Sequence, residues 1–178
     1  MRKTMLSDFN LLATTIRGNE RQMCHELAYL LNAIGDTAPE VAKTGIRGVI
    51  VGKTALNPID AIEKLRSILL ERPYEFRYAL RILPIEKVIR TDIDELKQAV
   101  EELAAKIGAN ETFRVTVEKR FTSLHSRDLI EAAASCIQRK VDLENPDRIL
   151  LIEVIGGLTG ISFVKPEHVL AVVKEKML

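Results

Sequence analysis

Ile149-Leu150-Leu151-Ile152-Glu153-Val154-Ile155 is an apolar run broken by a single carboxylate. A run of this length, closed by Gly156-Gly157, predicts a central strand covered on both faces, and the fold can be read outward from it. Gly160 interrupts the chain again before a second short strand over 161–164. Upstream, Phe113, Val115 and Val117 alternate with Arg114, Thr116 and Glu118, the period of a half-buried strand. Ser126 can cap a helix whose inner face is Leu129, Ala133, Cys136 and Ile137. Thr91 with Asp94 opens another, carried by Ile93, Leu96, Val100, Leu103 and Ile107 and stopped at Gly108. Pro166 predicts a short terminal helix through Val169, Leu170 and Val173.

The first half repeats the alternation. Residues 9–16 read as a strand. Asn19 and Glu20 then start a helix with Met23, Leu27, Leu30, Leu31 and Ile34 on one face, closed by Gly35. Residues 41–54 read as one or two strands with Gly45 and Gly48 at turns. Asn57-Pro58 suits a helix start, since Asn caps and Pro fits the first helical position. Ile59, Ile62, Leu65 and Leu69 form the stripe that follows, and 76–82 reads as the strand completing the unit. The expectation is two small α/β layers joined near residues 71–80.

Composition bounds the function. Of 178 residues 47% are apolar and 29% charged, far too apolar for a disordered chain. Lys and Arg number 26 against 25 Asp and Glu, so no global field points to nucleic acid or membrane, and any such binding must use a local cluster. No apolar run nears the roughly 18 residues of a membrane span. The start, Met1 to Phe9, lacks a signal-peptide pattern. Cys24 and Cys136 stand in no metal-ligand spacing. A cytoplasmic protein is expected.

Motifs for chemistry are weak. Gly52-Lys53-Thr54 resembles the end of a phosphate loop, but Arg47 stands where the leading glycine belongs, and Val49-Ile50-Val51 reads as strand. His25, His125 and His168 lack partners at ligand spacing. His125 lies between Ser123 and Ser126 without a nucleophile elbow or nearby acid. Asp92, Asp94 and Glu95 crowd a helix start, where the dipole favours them. Neither a catalytic centre, a metal site nor a cofactor is expected.

Local charge is more informative. Arg114, Lys119, Arg120, Arg127, Arg139 and Lys140 outnumber Glu118, Asp128 and Glu131 between 114 and 140. Strand parity puts Arg120 with Arg114 on the polar face and gives Lys119 core-side parity at the strand exit. Arg127 opens the next helix, so its head, the helix amides and Arg120 could converge on one phosphate. A solvated face is the plain alternative. Glu153, buried by its neighbours, predicts pairing with one of these arginines.

Arg81-Ile82-Leu83-Pro84-Ile85, Val117-Glu118-Lys119-Arg120, His125-Ser126-Arg127 and Lys140-Val141-Asp142-Leu143-Glu144-Asn145-Pro146 occur in the order that resembles THUMP domains of tRNA-modifying enzymes. Leu151-Ile152-Glu153-Val154-Ile155 and Ile161-Ser162-Phe163-Val164-Lys165 complete the pattern. Leu11-Leu12-Ala13-Thr14-Thr15, Glu20-Arg21 and Ala28-Tyr29-Leu30-Leu31-Asn32 resemble the start of stand-alone THUMP adaptors of tRNA cytidine acetylation. The resemblance implies an α/β (α+β) protein with a ferredoxin-like N-terminal domain over 1–75 and a THUMP domain over 76–178. It implies a non-catalytic protein that grips the acceptor stem and 3′ CCA end of tRNA. Such a protein presents the tRNA to a separate RNA cytidine acetyltransferase acting in the D-arm. With the pattern reaching nearly to residue 178, no catalytic domain is expected. Arg81, Lys119, Arg120, Arg127, Lys140 and Lys165 are the expected contacts to phosphates or terminal nucleotides. Asp142 and Asn145-Pro146 shape the loop entering the central strand. The alternatives are a small-ligand or regulatory α/β module, or a detached THUMP subunit of another tRNA-modifying enzyme.

Overall fold

A computed structural model describes residues 6–177; residues 1–5, the opening of the stretch read for a signal peptide, lie outside the described residues. In chain order the elements are β1 (Leu11–Thr14), α1 (Glu20–Ala33), β2 (Glu40–Lys43), β3 (Val49–Lys53), α2 (Pro58–Glu71), β4 (Arg81–Pro84), β5 (Lys87–Arg90), α3 (Ile93–Ala104), β6 (Phe113–Arg120), α4 (Ser126–Ala134), β7 (Arg148–Ile155), β8 (Leu158–Val164), β9 (Leu170–Ala171) and α5 (Val172–Lys176). They fall into two units, one running to Ile85 and resuming at Glu167, the other spanning Glu86–Pro166.

The first unit runs β-α-β-β-α-β, the split βαβ order of ferredoxin-like units. Its sheet is ordered β2-β3-β1-β4-β9, and every neighbouring pair is antiparallel. Met23, Leu27, Leu30 and Leu31 of α1, spaced to share one face, are buried against Leu11, Ala13 and Ile50 of the strands. Helix α2 starts as its sequence dictates. The Asn57 Oδ1 accepts the amides of Ile59 at 2.9 Å and Asp60 at 3.2 Å, and Pro58 occupies the first helical position. The tempting Gly52-Lys53-Thr54 is strand and strand exit. Gly52 leaves room for packing there, since a β-carbon would crowd the Leu27 side chain at 3.2 Å.

Three expectations give way here. Residues 76–80 are not strand, because the buried Glu26 carboxylate accepts the amides of Arg77, Tyr78 and Ala79 at 2.7–3.1 Å. With those donors taken by a side chain, ladder pairing begins only at Arg81. The second correction is the boundary: it falls after Ile85 rather than after residue 75, since β4 pairs with β1 and belongs to the first sheet. Third, the expected terminal helix from Pro166 is a 3₁₀ turn (Pro166–His168), the two-residue strand β9, and only then α5. Strand β9 pairs with β4, and Arg66 fixes the segment by bonding the Glu175 carboxylate at 2.6 Å and the Val169 carbonyl at 3.2 Å. The chain's last residues thus return to the first unit.

The second unit is a sheet ordered β5-β8-β7-β6, with β6 and β7 parallel and the other pairs antiparallel. Parallel neighbours need a crossover, and α4 supplies it. Leu96, Val100 and Leu103 of α3 and Leu129 and Ala133 of α4 cover one face, that of Leu150, Ile152, Val154, Ile161 and Phe163. Phe113 and Phe163 meet edge to face, 6.4 Å between centroids. Asp92 caps α3, accepting the Glu95 amide at 3.0 Å. Thr91, expected to start that helix, instead donates to the Gly156 carbonyl at 2.8 Å.

Asp36, buried after α1, accepts the Thr54 hydroxyl at 2.7 Å and the amides of Ala38 and Ala55 at 3.1 Å, tying the end of α1 to the end of β3. Burial raises its pKa, but the Thr54 and amide bonds outweigh burial and leave the carboxyl below its ordinary value. A carboxyl lowered on folding adds stability that is complete above its unfolded pKa and fades as pH falls through the folded one. Below about pH 4 the wild-type urea midpoint should fall more steeply than that of Asp36→Asn, and parallel profiles would refute the coupling. Separately, Leu170→Ala should cost about 2–5 kcal/mol in urea unfolding, because Leu170 is fully buried in the first unit's core. An unchanged midpoint would show that β9 does not hold that sheet.

Candidate functional site

The exit of β6 and the start of α4 bring three of the expected residues to one end of the second sheet. Alternation places Val115 and Val117 against the helices and Arg114, Glu118 and Arg120 on the opposite face. Glu153 shares that opposite face, and it is 1% exposed. Its register partner is Glu118 in β6 and Gly160 in β8. Two carboxylates side by side repel, and Arg120, two residues on, meets Glu153 with Nη1 at 3.0 Å from Oε2. The expected arginine partner of Glu153 is therefore Arg120.

That pairing breaks the expected convergence on one phosphate. Arg120 turns to the face away from α4, and its side chain is 18% exposed. Arg127 rides on α4 in solvent, its side chain 86% exposed, 2.9 Å from Glu131 one turn on. Its hydrogen bond to Glu131, and that residue's charge, raise the Arg127 pKa further, so the cation is permanent. Lys119, given core-side parity, swings out as expected and donates to the Leu124 carbonyl at 3.1 Å. His125, not Ser126, occupies the N-cap of α4 and makes no side-chain capping bond.

The other expected contacts lie elsewhere. The Lys140 carbonyl accepts the Phe113 amide, and Lys165 follows Val164, the partner of Ile149. Both thus sit at the entry end of the parallel strands, roughly 20 Å along β6 from Lys119. Lys140 borders an open groove of about 530 Å³ with Arg139, whose guanidinium bonds the carbonyls of Gly108 and Gln138. There the Gly108 amide, the Arg148 guanidinium and the more distant charge of Lys165 hold the Glu111 carboxyl below its usual range. Arg81 belongs to the first unit, in β4 between Thr14 and Ala171. Asp142 shapes the loop before β7, accepting the amides of Glu144 and Asn145 at 3.1 and 2.9 Å.

One residue escaped the sequence reading. Phe121, directly after Arg120, is 81% exposed and carries a φ of 54°. Continuing the strand's parity would put its side chain on the core face; the change of backbone conformation re-aims it. The available signal was an aromatic placed directly after a basic strand exit.

The first unit holds an open groove of about 490 Å³ lined by Arg21, Gln22, His25, Glu26, Tyr29, Glu75 and Tyr78. Its carboxylates are engaged, Glu26 with three amides and Glu75 with the Tyr29 hydroxyl at 2.8 Å. Among the described residues no group of three or more His, Cys, Asp or Glu could hold a metal ion, and no helix is long and apolar enough to cross a membrane.

Residues 90–164 match the THUMP domain, which covers the whole β6–α4 turn and the central strand. The chain is 26% identical over 141 residues to an uncharacterized protein of Methanocaldococcus jannaschii, a match covering 76% of this chain and 36% of the relative. It thus spans about a third of that relative's length. Among solved structures it is similar to PH1313 from Pyrococcus horikoshii, with a TM-score of 0.64 and 18% identity over 89% of this chain and 55% of that one. TrmN from Thermus thermophilus gives a TM-score of 0.57 and 17% identity over 88% and 45% of the two chains. A 4-thiouridine synthetase, solved in complex with RNA and ATP, gives 0.53 and 16% over 89% and 42%. At these identities the structures establish the shared fold.

The two arginines should separate in stability. Arg120→Ala removes a cation from a buried carboxylate and should cost about 3 kcal/mol in urea unfolding. Arg127→Ala, in solvent, should leave the midpoint where it is. Equal midpoints for the two variants would refute the structural assignment of Arg120.

Proposed function

We propose, from a chain that carries a THUMP domain over residues 90–164, that this protein binds tRNA at its acceptor stem and 3′ CCA end. The observation supporting this reading is the exposed pair Lys119 and Arg127, on either side of the β6–α4 turn inside that domain. A folded RNA end offers phosphates and unpaired bases, and recognition rests on charge, shape and 2′-hydroxyls. The Arg127–Glu131 pair is an exposed one, of a kind that contributes little, so Arg127 exchanges it for a phosphate at small cost. Arg120 supports the turn from below through Glu153 rather than meeting RNA itself. We further propose that the protein works in the cytoplasm without chemistry of its own, holding tRNA for a separate RNA cytidine acetyltransferase. This finer part rests on the sequence resemblance to the acetylation adaptors.

Labelled tRNA, intact and with its CCA end trimmed, should be titrated at two salt concentrations. Trimming should weaken binding, and equal, feeble binding of both RNAs would overturn end recognition in favour of a small-ligand module. The salt dependence also counts cations. Two phosphate contacts predict about a tenfold loss of affinity between 50 and 200 mM salt, whereas all six expected residues acting together predict about a thousandfold. Lys119→Ala and Arg127→Ala should each lower the salt slope by about one. The adaptor role requires that a purified RNA cytidine acetyltransferase modify tRNA faster at limiting tRNA when this protein is added. An unchanged rate would restrict the function to tRNA binding.

A further inference from the structure

Phe121 breaks two rules at once. Among the described residues it is the only non-glycine with a positive φ, a conformation that crowds Cβ against the backbone and is rare for bulky side chains. Its ring is also left in water, 81% exposed, although an asparagine or glycine would fit the same turn without either penalty. Both flanks of the turn are fixed by their surroundings. The Arg120 carbonyl accepts the Gly156 amide at 2.8 Å, and the Leu124 carbonyl accepts the Lys119 ammonium at 3.1 Å, while the Leu124 amide bonds the Thr122 hydroxyl. A strained residue held by well-bonded neighbours points to a use for its side chain.

We infer that Phe121 is a stacking platform for one unpaired base of bound RNA, a contact that rests on the RNA-binding reading and extends it to a named base-contacting residue. The flanking charge favours a nucleotide over an apolar protein surface. Lys119 lies two residues before the ring and Arg127, 86% exposed, six after it, so the turn that presents the ring is flanked by the cations that a nucleotide's phosphates call for. One aromatic serves any base, because every base has a π-face, and this matches recognition of an end by shape rather than by a sequence code.

The chain contains no tryptophan, so Phe121→Trp introduces a single indole at the proposed contact. Wild type, Phe121→Trp, Phe121→Leu and Phe121→Asn should be titrated with two RNAs, a stem with a single-stranded 3′ overhang and the same stem blunt-ended. Phe121→Trp should hold the overhang RNA at least as tightly as wild type, its emission quenched by that RNA and not by the blunt one. Phe121→Leu, equally apolar but without a ring, should lose about tenfold in affinity for the overhang RNA and nothing for the blunt one. Phe121→Asn should show the same loss while raising the melting temperature, since Asn relieves the backbone; a purely structural residue would not move these two quantities in opposite senses. If wild type binds the overhang RNA and Phe121→Leu binds it equally well, the stacking contact is overturned and the RNA-binding reading stands. Indole emission that ignores the overhang overturns the contact in the same way. If wild type binds neither RNA even at low salt, both fall, and a protein partner for the exposed ring becomes the reading to pursue.

Discussion

A carboxylate in the middle of a central strand is costly to bury unless a cation meets it there, and Glu153 sets the local geometry of the second unit through that requirement. Its register neighbours cannot help: Glu118 carries the same charge and Gly160 has no side chain. The remedy is Arg120, at the last position of β6. Holding that guanidinium against β7 holds the strand's end, and the Arg120 carbonyl is pinned by the Gly156 amide as well. The chain must then leave the sheet sharply at residue 121. The left-handed backbone of Phe121, the outward swing of Lys119 and the placement of α4 all follow from where that strand is made to stop.

This division of labour separates residues that look alike in sequence. Arg120 and Arg127 are both basic residues near a strand exit, yet one is bound to a buried acid and the other lies in solvent beside an exposed one. A cation needed to neutralise a core carboxylate is poorly suited to leave it for a ligand. A cation in an exposed i,i+4 pair gives up very little when it changes partner. Lys119 belongs with the second kind, since its bond to a solvent-side carbonyl can be replaced by water or phosphate.

Much of the fold was legible because local chemistry decides it. The Asn57-Pro58 start, the stripe of α1, the alternation of β6 and the need of Glu153 for an arginine each depend on residues a few positions apart, or on one buried charge. What was not legible depends on tertiary pairing. Leu170-Ala171 carries the same apolar character in a strand or a helix, and only the free edge of β4 makes it β9. Residues 77–79 would suit a ladder, but the Glu26 carboxylate, some fifty residues earlier, takes their amides first. The scatter of the expected contact residues was hidden for a related reason. Parity tells which face of a strand a residue occupies and says nothing of which end of the sheet it reaches. Lys119, Lys140 and Lys165 all stand as expected contacts in the sequence, and only the parallel pairing of β6 with β7 shows that the last two lie at the far end from the first.

The same separation bears on what kind of RNA feature the second unit suits. A duplex-wrapping surface needs many cations spread along the backbone, and its affinity collapses with salt. Here Glu118, Asp128 and Glu131 stand among Lys119, Arg120 and Arg127, and one of those three cations is tied to a buried acid. Two exposed cations and one presented ring would make, on the proposed reading, a small contact suited to a single phosphate pair and one unstacked base. On the proposed reading such a contact would distinguish an RNA end from a continuous helix, because the end supplies a base free to leave its stack without breaking a pair. Specificity would then come from the geometry of the terminus, with the strained turn at Phe121 holding the ring in place before the RNA arrives and sparing the ordering cost on binding.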